Sequence, residues 1–267
     1  MGTITNALEL LNLFSRARPL AGLSELARLS GTNKATCHRM LSELADFGLV
    51  EQIGTGRQYR LGPATLRLAA LREAGVPTKD AALPVMNALA QVTGETVHLS
   101  LLEGTVLRTL AFAYSSAHGT KVMMEDAETL PLHATSSGLA VLAFQSSAFR
   151  EKVLAGPLPQ LTPQTMTDPA QLRQRLERVR FQGFAESAGG FEAEVHSIAV
   201  PLFDALGRCS GGLAVAAPVA RMTPAQCDFI RRAVLLAGED VTRLWGGSLP
   251  ETIASRWRNA GEKDATR

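Results

Sequence analysis

The chain has 267 residues, 46% hydrophobic and 19% charged, a balance that supports packed cores and excludes a globally disordered polypeptide. Its net charge of +2 is uneven: residues 1–76 carry nine Lys/Arg against six Asp/Glu, and the rest carry 18 against 19. The length suits two domains, a mildly basic small domain suits contact with phosphates, and no apolar run reaches the ~20 residues needed to span a bilayer.

Residues 5–14 place Leu8 and Leu11 at helical spacing, and the run Arg16-Ala17-Arg18-Pro19 stops that helix. A short helix follows over 24–29 and ends at Ser30-Gly31. Thr32 or Asn33 then caps a third helix running to about Phe47, with Met40, Leu41, Leu44 and Phe47 as its buried stripe and Gly48 closing it. Two short alternating runs, 49–53 and 58–62, flank a Gly-rich tip at 54–57 and make a β-hairpin. Helix, helix, turn, helix and hairpin in this order form a winged helix-turn-helix layout. Residues 64–75 read as a connecting helix, and Gly75-Val76-Pro77 marks the domain boundary.

Beyond the boundary, 80–92 is an amphipathic helix, and 96–102 with 105–112 form an antiparallel pair turning at Glu103-Gly104. A helix starts near Thr135 and runs to Phe144, 157–169 is loop-like, and 169–180 is helical. Residues 184–187, 197–202 and 211–217 read as strands, and 223–244 as a long closing helix with Thr223 as cap and Pro224 in its first turn. The polar stretch after Gly246 is expected to fray.

The N-terminus lacks a basic segment and a small-residue cleavage site, and Asn6 breaks the myristoylation pattern, so a cytoplasmic location is expected. Cys37, Cys209 and Cys227 stand far apart with no zinc-type spacing, which reads as three free thiols in a reducing compartment.

Three stretches carry a resemblance: 23–51 (LSELARLSGTNKATCHRMLSELADFGLVE, with Lys34 and His38-Arg39), 130–144 (LPLHATSSGLAVLAF), and 183–223. In this order and spacing they resemble the IclR family of transcriptional regulators over roughly residues 4–246. The resemblance implies an α+β fold: an N-terminal winged helix-turn-helix at 1–62, a linker helix at 63–76, a GAF-like effector domain with an antiparallel sheet flanked by helices at 77–247, and a flexible polar tail at 248–267. It further implies a homodimer or homotetramer on near-palindromic double-stranded operator DNA, with repression favoured. No cofactor or metal is expected.

Helix-turn-helix docking puts the helix from Asn33 into the major groove. The expected DNA contacts are Thr32, Asn33, Lys34, Thr36, Cys37, His38 and Arg39, with Arg57 and Tyr59 in the wing. Arg39 suits guanine O6 and N7, and Asn33 suits adenine. Cys37 has a second reading, as a packed residue or a redox-sensitive one. Asn6 stands where the family often has a basic residue.

The turn Thr135-Ser136-Ser137 opens a helix whose N-terminal N–H groups and dipole favour an anion, so a carboxylate effector is expected. The resemblance adds Ser187 and the Ser197 strand, and the last strand, where Ala214 and Ala216 replace serines of some members. Leu130 and Val195 join the expected effector contacts, which together make a more apolar wall and point to a bulkier, partly apolar or aromatic acid. Val122, Met123 and Leu132 read equally as pocket or core, and His133 as a structural histidine. The serines have a second reading as ordinary helix caps.

Two alternatives stand beside this reading. A hydrolase would use His133 with Ser136 or Ser137, but Gly-x-Ser-x-Gly, a dinucleotide fingerprint and a Walker A sequence are all missing. A ligand-binding protein without DNA affinity would leave Lys34, Arg39 and Arg57 without a role.

Overall fold

The computed structural model describes residues 2–15, 18–54, 57–75, 77–123 and 129–262. Arg16 and Ala17 of the first helix stop, Thr55 and Gly56 of the wing tip, Val76 of the boundary and the last five residues of the tail lie outside the described residues. The chain divides into two compact units, Met1–Pro77 and Thr78–Arg267.

The first unit runs α1 (Thr3–Asn12), β1 (Ala21–Gly22), α2 (Leu23–Leu29), α3 (Lys34–Asp46), β2 (Val50–Ile53), β3 (Gln58–Leu61) and α4 (Ala64–Gly75). Its small sheet has the order β1-β3-β2, with Gln52 opposite Tyr59 and Ala21 on the other side of the same tyrosine. Leu10, Leu26, Met40, Leu41 and Val50 build the core with Cys37 and Tyr59. Two stripe positions differ from expectation. Phe47 is exposed at the C-terminal cap of α3, and α1 buries Leu10 while Leu8 faces solvent. In the single chain, α4 leaves Leu66, Leu68 and Leu71 exposed.

The second unit runs α5 (Thr78–Thr93), β4 (Thr96–Glu103), β5 (Val106–Ala113), β6 (Thr129–Leu130), α6 (Ser136–Ala143), α7 (Ser147–Leu154), α8 (Pro169–Gln182), β7 (Ala185–Ala188), β8 (Val195–Phe203), β9 (Cys209–Pro218), α9 (Pro224–Leu244) and α10 (Glu251–Glu262). Six strands form one antiparallel sheet in the order β6-β5-β4-β9-β8-β7. Side chains alternate across it, as pleating requires. On β8, Ser197 meets α6, whereas the Cβ-facing side of Val200 meets Gly238 of α9. Thus α6 covers one face, and α5 and α9 cover the other.

Local chemistry explains the long closing helix. The Thr223 side chain accepts from the Gln226 amide, and Pro224 occupies a first-turn position where no N–H is needed. At Gly238 a Cβ would lie 2.5 Å from Val200 Cγ2, so only glycine lets α9 sit this close to β8. Next to this helix, a buried carboxylate is matched rather than stranded: Glu95 takes both Arg221 Nε and Nη2, at 2.7 and 2.6 Å.

The polar tail does not fray over its first part. Glu251–Glu262 folds as α10 and packs on α8 and α9. Ile253 and Trp257 are spaced i, i+4 and are 0% and 2% exposed, a narrow apolar stripe that a polar background hides from composition. Helix α7 is a further element absent from the sequence reading; Ser146 caps it through the Phe149 amide at 3.2 Å.

The docking of α10 yields a prediction. Trp257→Ala is expected to cost the second unit about 3–5 kcal/mol, the range for emptying a large aromatic site. Urea titration followed by far-ultraviolet dichroism measures this, and a cost below about 1 kcal/mol, the level of ordinary surface changes, would show that α10 does not belong to the core.

Candidate functional site

The recognition-type helix is set by one cap. Asn33 Oδ1 accepts from the Thr36 amide at 2.8 Å and so starts α3 at Lys34. Lys34, His38 and Arg39 then stand exposed, with Lys34 and His38 one turn apart on a shared face. Thr32 and Thr36 are half-buried, and the Thr32 hydroxyl already pairs with Ser30 Oγ at 2.8 Å. Arg39 makes only a loose, exposed pair with Glu43 at 3.6 Å, which holds it weakly and leaves its guanidinium available. The cap has a consequence for Asn33. Bidentate contact with adenine needs its carbonyl oxygen, which α3 is already using.

Two expected contacts of this surface are corrected. Cys37 is fully buried, because it continues the stripe of Met40, Leu41 and Leu44 by one turn. Burial pushes its thiol up, and a hydrogen bond from the neighbourhood of Thr32 offsets only part of this, so it is a poor redox sensor. Tyr59 is 4% exposed, since strand alternation turns it inward between Gln58 and Arg60. Arg57 stays exposed at the wing with a left-handed φ of 48°, and its carbonyl accepts from Gln52 Nε2. Arg60 is engaged by Glu51 at 2.6 Å.

In the second unit a pocket opens at the N-terminus of α6. Its polar lining is His98, Thr135, Ser136, Ser187, Glu192 and Ser197; its apolar lining is Val122, Leu130, Phe191, Val195 and Ala216. It leaves about 440 Å³ free of protein atoms, mouth included. Thr135 is spent on structure: its hydroxyl donates to the Pro131 carbonyl and accepts from the Gly138 amide. The first-turn amides of Ser136 and Ser137 have no acceptor within the helix by geometry. All eight residues of α6 are buried, so these donors and the helix dipole act in a low-dielectric setting.

Hydroxyl direction matters here. Ser136 Oγ donates to Ser197 Oγ at 2.7 Å, which leaves the Ser197 proton to donate elsewhere. Ser187 Oγ donates to the Ala134 carbonyl at 2.8 Å and presents its lone pairs. Among the described lining residues none is cationic, so an anion would be held by N–H and O–H dipoles alone.

Seven of the nine expected effector residues border this pocket: Leu130, Thr135, Ser136, Ser187, Val195, Ser197 and Ala216. The other two are corrected. Ser137 is fully buried, and its hydroxyl is bonded to His98 Nε2 at 3.1 Å. Ala214 lies opposite His98 in the β4–β9 register, is fully buried and is absent from the pocket wall. Sequence reasoning did not place His98, Phe191 or Glu192 at the effector pocket, although Glu192, with Glu186, is a carboxylate available to the hydrolase alternative. His133 is structural, with Nε2 bonded to the Pro159 carbonyl at 3.0 Å.

The His98–Ser137 pair has the reach of a base and nucleophile, but not the function. Ser137 is inaccessible, and His98 Nδ1 is buried with no partner among the described residues, so no described carboxylate orients the ring. Burial lowers the His98 pKa to about 4, which keeps the imidazole neutral on the pocket wall.

That shift carries a sign. In the unfolded chain the imidazole gains a proton near 6.5, whereas folded His98 refuses one until about 4. Between these values the unfolded state binds more protons, so stability must fall as pH drops through this window. In His98→Phe that part of the slope is expected to vanish. Denaturant midpoints from pH 7 to pH 4 test it; identical slopes in both proteins would mean that His98 titrates normally.

Comparison with known proteins matches this geometry. The family model for the IclR helix-turn-helix domain matches residues 3–54, and that for the bacterial transcriptional regulator IclR C-terminal matches 71–243. A crystal structure described as an IclR transcriptional regulator from Silicibacter sp. TM1040 is 54% identical, with a TM-score of 0.85 over 95% of this chain and 99% of that one. The transcriptional regulator BhcR of Paracoccus denitrificans is 29% identical over 90% of this chain and 85% of its own length. An IclR homologue from Microbacterium hydrocarbonoxydans, crystallised with 4-hydroxybenzoate, is 28% identical with a TM-score of 0.55, covering 91% of this chain and 100% of that one. These relatives are regulators and not enzymes, both halves of the chain match in order, and the chain therefore belongs to the IclR family of transcriptional regulators, with a DNA-binding helix-turn-helix unit followed by an effector domain.

Proposed function

We propose that the protein represses transcription as a dimer or tetramer on a near-palindromic operator, under the control of a partly apolar, aromatic-type carboxylate. The observation that carries the ligand class is the pocket itself: free first-turn amides of α6 and the Ser136–Ser197 hydroxyl chain at one end, Val122, Leu130, Phe191, Val195 and Ala216 around the rest. An acid head binds at the dipole end, and an apolar body fills the wall. Glu192 at the pocket suits a ligand hydroxyl as hydrogen-bond partner and disfavours a second carboxylate. The 4-hydroxybenzoate complex of the Microbacterium homologue supports this class.

On the DNA side, Lys34, Thr36, His38 and Arg39 of α3 read the major groove, Thr32 and Asn33 frame the helix start, and Arg57 reaches the backbone from the wing. The exposed Leu66, Leu68 and Leu71 of α4 supply an apolar stripe for a second copy, which sets two half-sites about one DNA turn apart. The effector acts by binding one arrangement of the DNA-bound assembly better than another; equal affinity would shift nothing.

Two experiments follow. In a salt-series titration on the intergenic DNA upstream of its own coding sequence, Arg39→Ala is expected to lose about 1–3 kcal/mol of discrimination against scrambled DNA. Equal binding of both DNAs by the wild type would remove the operator reading, and added protein should lower run-off transcription from that DNA. For the pocket, 4-hydroxybenzoate is the first probe in a calorimetric titration. Ser197→Ala is expected to weaken it by about 1.5–3 kcal/mol, the range for a hydrogen bond to a charged group. An unchanged affinity would place the acid head elsewhere.

A further inference from the structure

Strands β7 and β8 carry pocket residues on one face only. Ser187 and Ser197 are register partners facing the pocket. Their immediate neighbours Glu186 and His196 must point to the opposite face, by the period of two along a strand. There they meet Cys227, in the first turns of α9. One ligand atom from each of the three residues lies within 4.8 Å of the other two. The Glu186 Oε1 to His196 Nε2 distance is 3.6 Å.

From this convergence we propose that Glu186, His196 and Cys227 form a binding site for a divalent cation of the zinc type, back to back with the effector pocket. A carboxylate oxygen, an imidazole nitrogen and a thiolate sulfur are the three donor types that zinc takes, and a tetrahedral ion draws such donors to roughly 3.5 Å of one another. The Glu186–His196 pair already has that spacing, so only the Cys227 side needs to close. Glu186, on the edge strand β7, and His196, on β8 beside it, are partly exposed, so water can reach a fourth position on their side.

The surrounding charges bear on this. Arg231 approaches Glu186 Oε1 at 3.7 Å, but its closer partner is Asp228 at 2.6 Å, and its guanidinium stacks on Phe184. Arg175 donates to the backbone carbonyl of Glu186 at 2.8 Å. Both named contacts to the Glu186 carboxylate, from His196 and Arg231, use Oε1. Binding replaces the Cys227 thiol proton by the ion and releases it to solvent, so the bound ion faces one thiolate and one carboxylate. The sequence hides the site because its ligands come from two strands and a helix, with no CxxC or HxxxH spacing.

The test is cobalt titration of the full chain after chelator treatment and reduction, followed by zinc. One Co²⁺ per chain is expected, with a thiolate-to-cobalt charge-transfer band in the near ultraviolet that one equivalent of Zn²⁺ removes. Cys227 and Cys209 are both buried, at 8% and 7% exposure, but among the described residues only Cys227 has a carboxylate and an imidazole beside it, so the loss of the band in a Cys227 variant assigns it. Cys227→Ser should abolish the band. His196→Gln should weaken cobalt affinity by more than tenfold, and it serves as the second variant if Cys227→Ser does not fold. No band in the folded wild type, a band that survives Cys227→Ser, or an affinity unmoved by His196→Gln would each overturn the site.

Discussion

The effector domain depends on how closely α6 approaches its neighbours. Each of the eight residues of this helix is buried, which is unusual for so short an element and requires small side chains around it. At Gly138 a Cβ would fall 2.5 Å from the Pro131 carbonyl oxygen and 2.6 Å from Leu132 Cα. Glycine there lets the first turn rest on the 131–132 backbone. Beneath it the sheet offers Gly212 and Ala214, which leave room for the helix that longer residues would deny. From this one close contact follow the position of the α6 amides, the reach of Ser136 to Ser197 and the burial of Ser137 against His98.

This constraint also sorts the hydroxyls by role. Thr135 and Ser137 have their hydroxyls consumed in holding the helix to its turn and to β4, and of the two only Thr135 borders the pocket; Ser136, Ser187 and Ser197 line it with hydroxyls that keep capacity for a ligand. Among the described residues the pocket is thus lined by oriented dipoles and the Glu192 carboxylate, without a cation, beside a histidine kept neutral. Such a site discriminates by geometry, because a misplaced acid group gains no long-range attraction to compensate.

Much of this was legible in the sequence, for identifiable reasons. The winged unit shows strong helical periodicity, Gly-marked ends and a hairpin with alternating residues, and its elements lie close to their expected bounds. The strands of the effector sheet are similarly clear. What escaped falls into three physical classes. Cys37 and Tyr59 are polar enough to look like contact residues, yet periods of 3.6 and 2 put both inward. His98 sits in a strand among apolar neighbours, and only the register of β4 with β9 and its bond to α6 bring it to the pocket. Phe191 and Glu192 lie in an irregular stretch without periodicity, and the two apolar residues of α10 are diluted in a polar tail. The first class had a local signal in its periodicity; the other two are tertiary outcomes with little of one.

The strand order has a temporal meaning. Thr96 pairs with Ala216, so β4 waits for a partner made near the other end of its domain. Every strand pairing of the winged unit among the described residues, in contrast, lies within its first 61 residues. Local contacts form sooner than distant ones, and chains emerge from the ribosome N-terminus first. During synthesis the half that grips DNA is therefore complete while the half that senses is still an open sheet. A message cut short between these points would encode the DNA-binding surface without the half that senses the ligand.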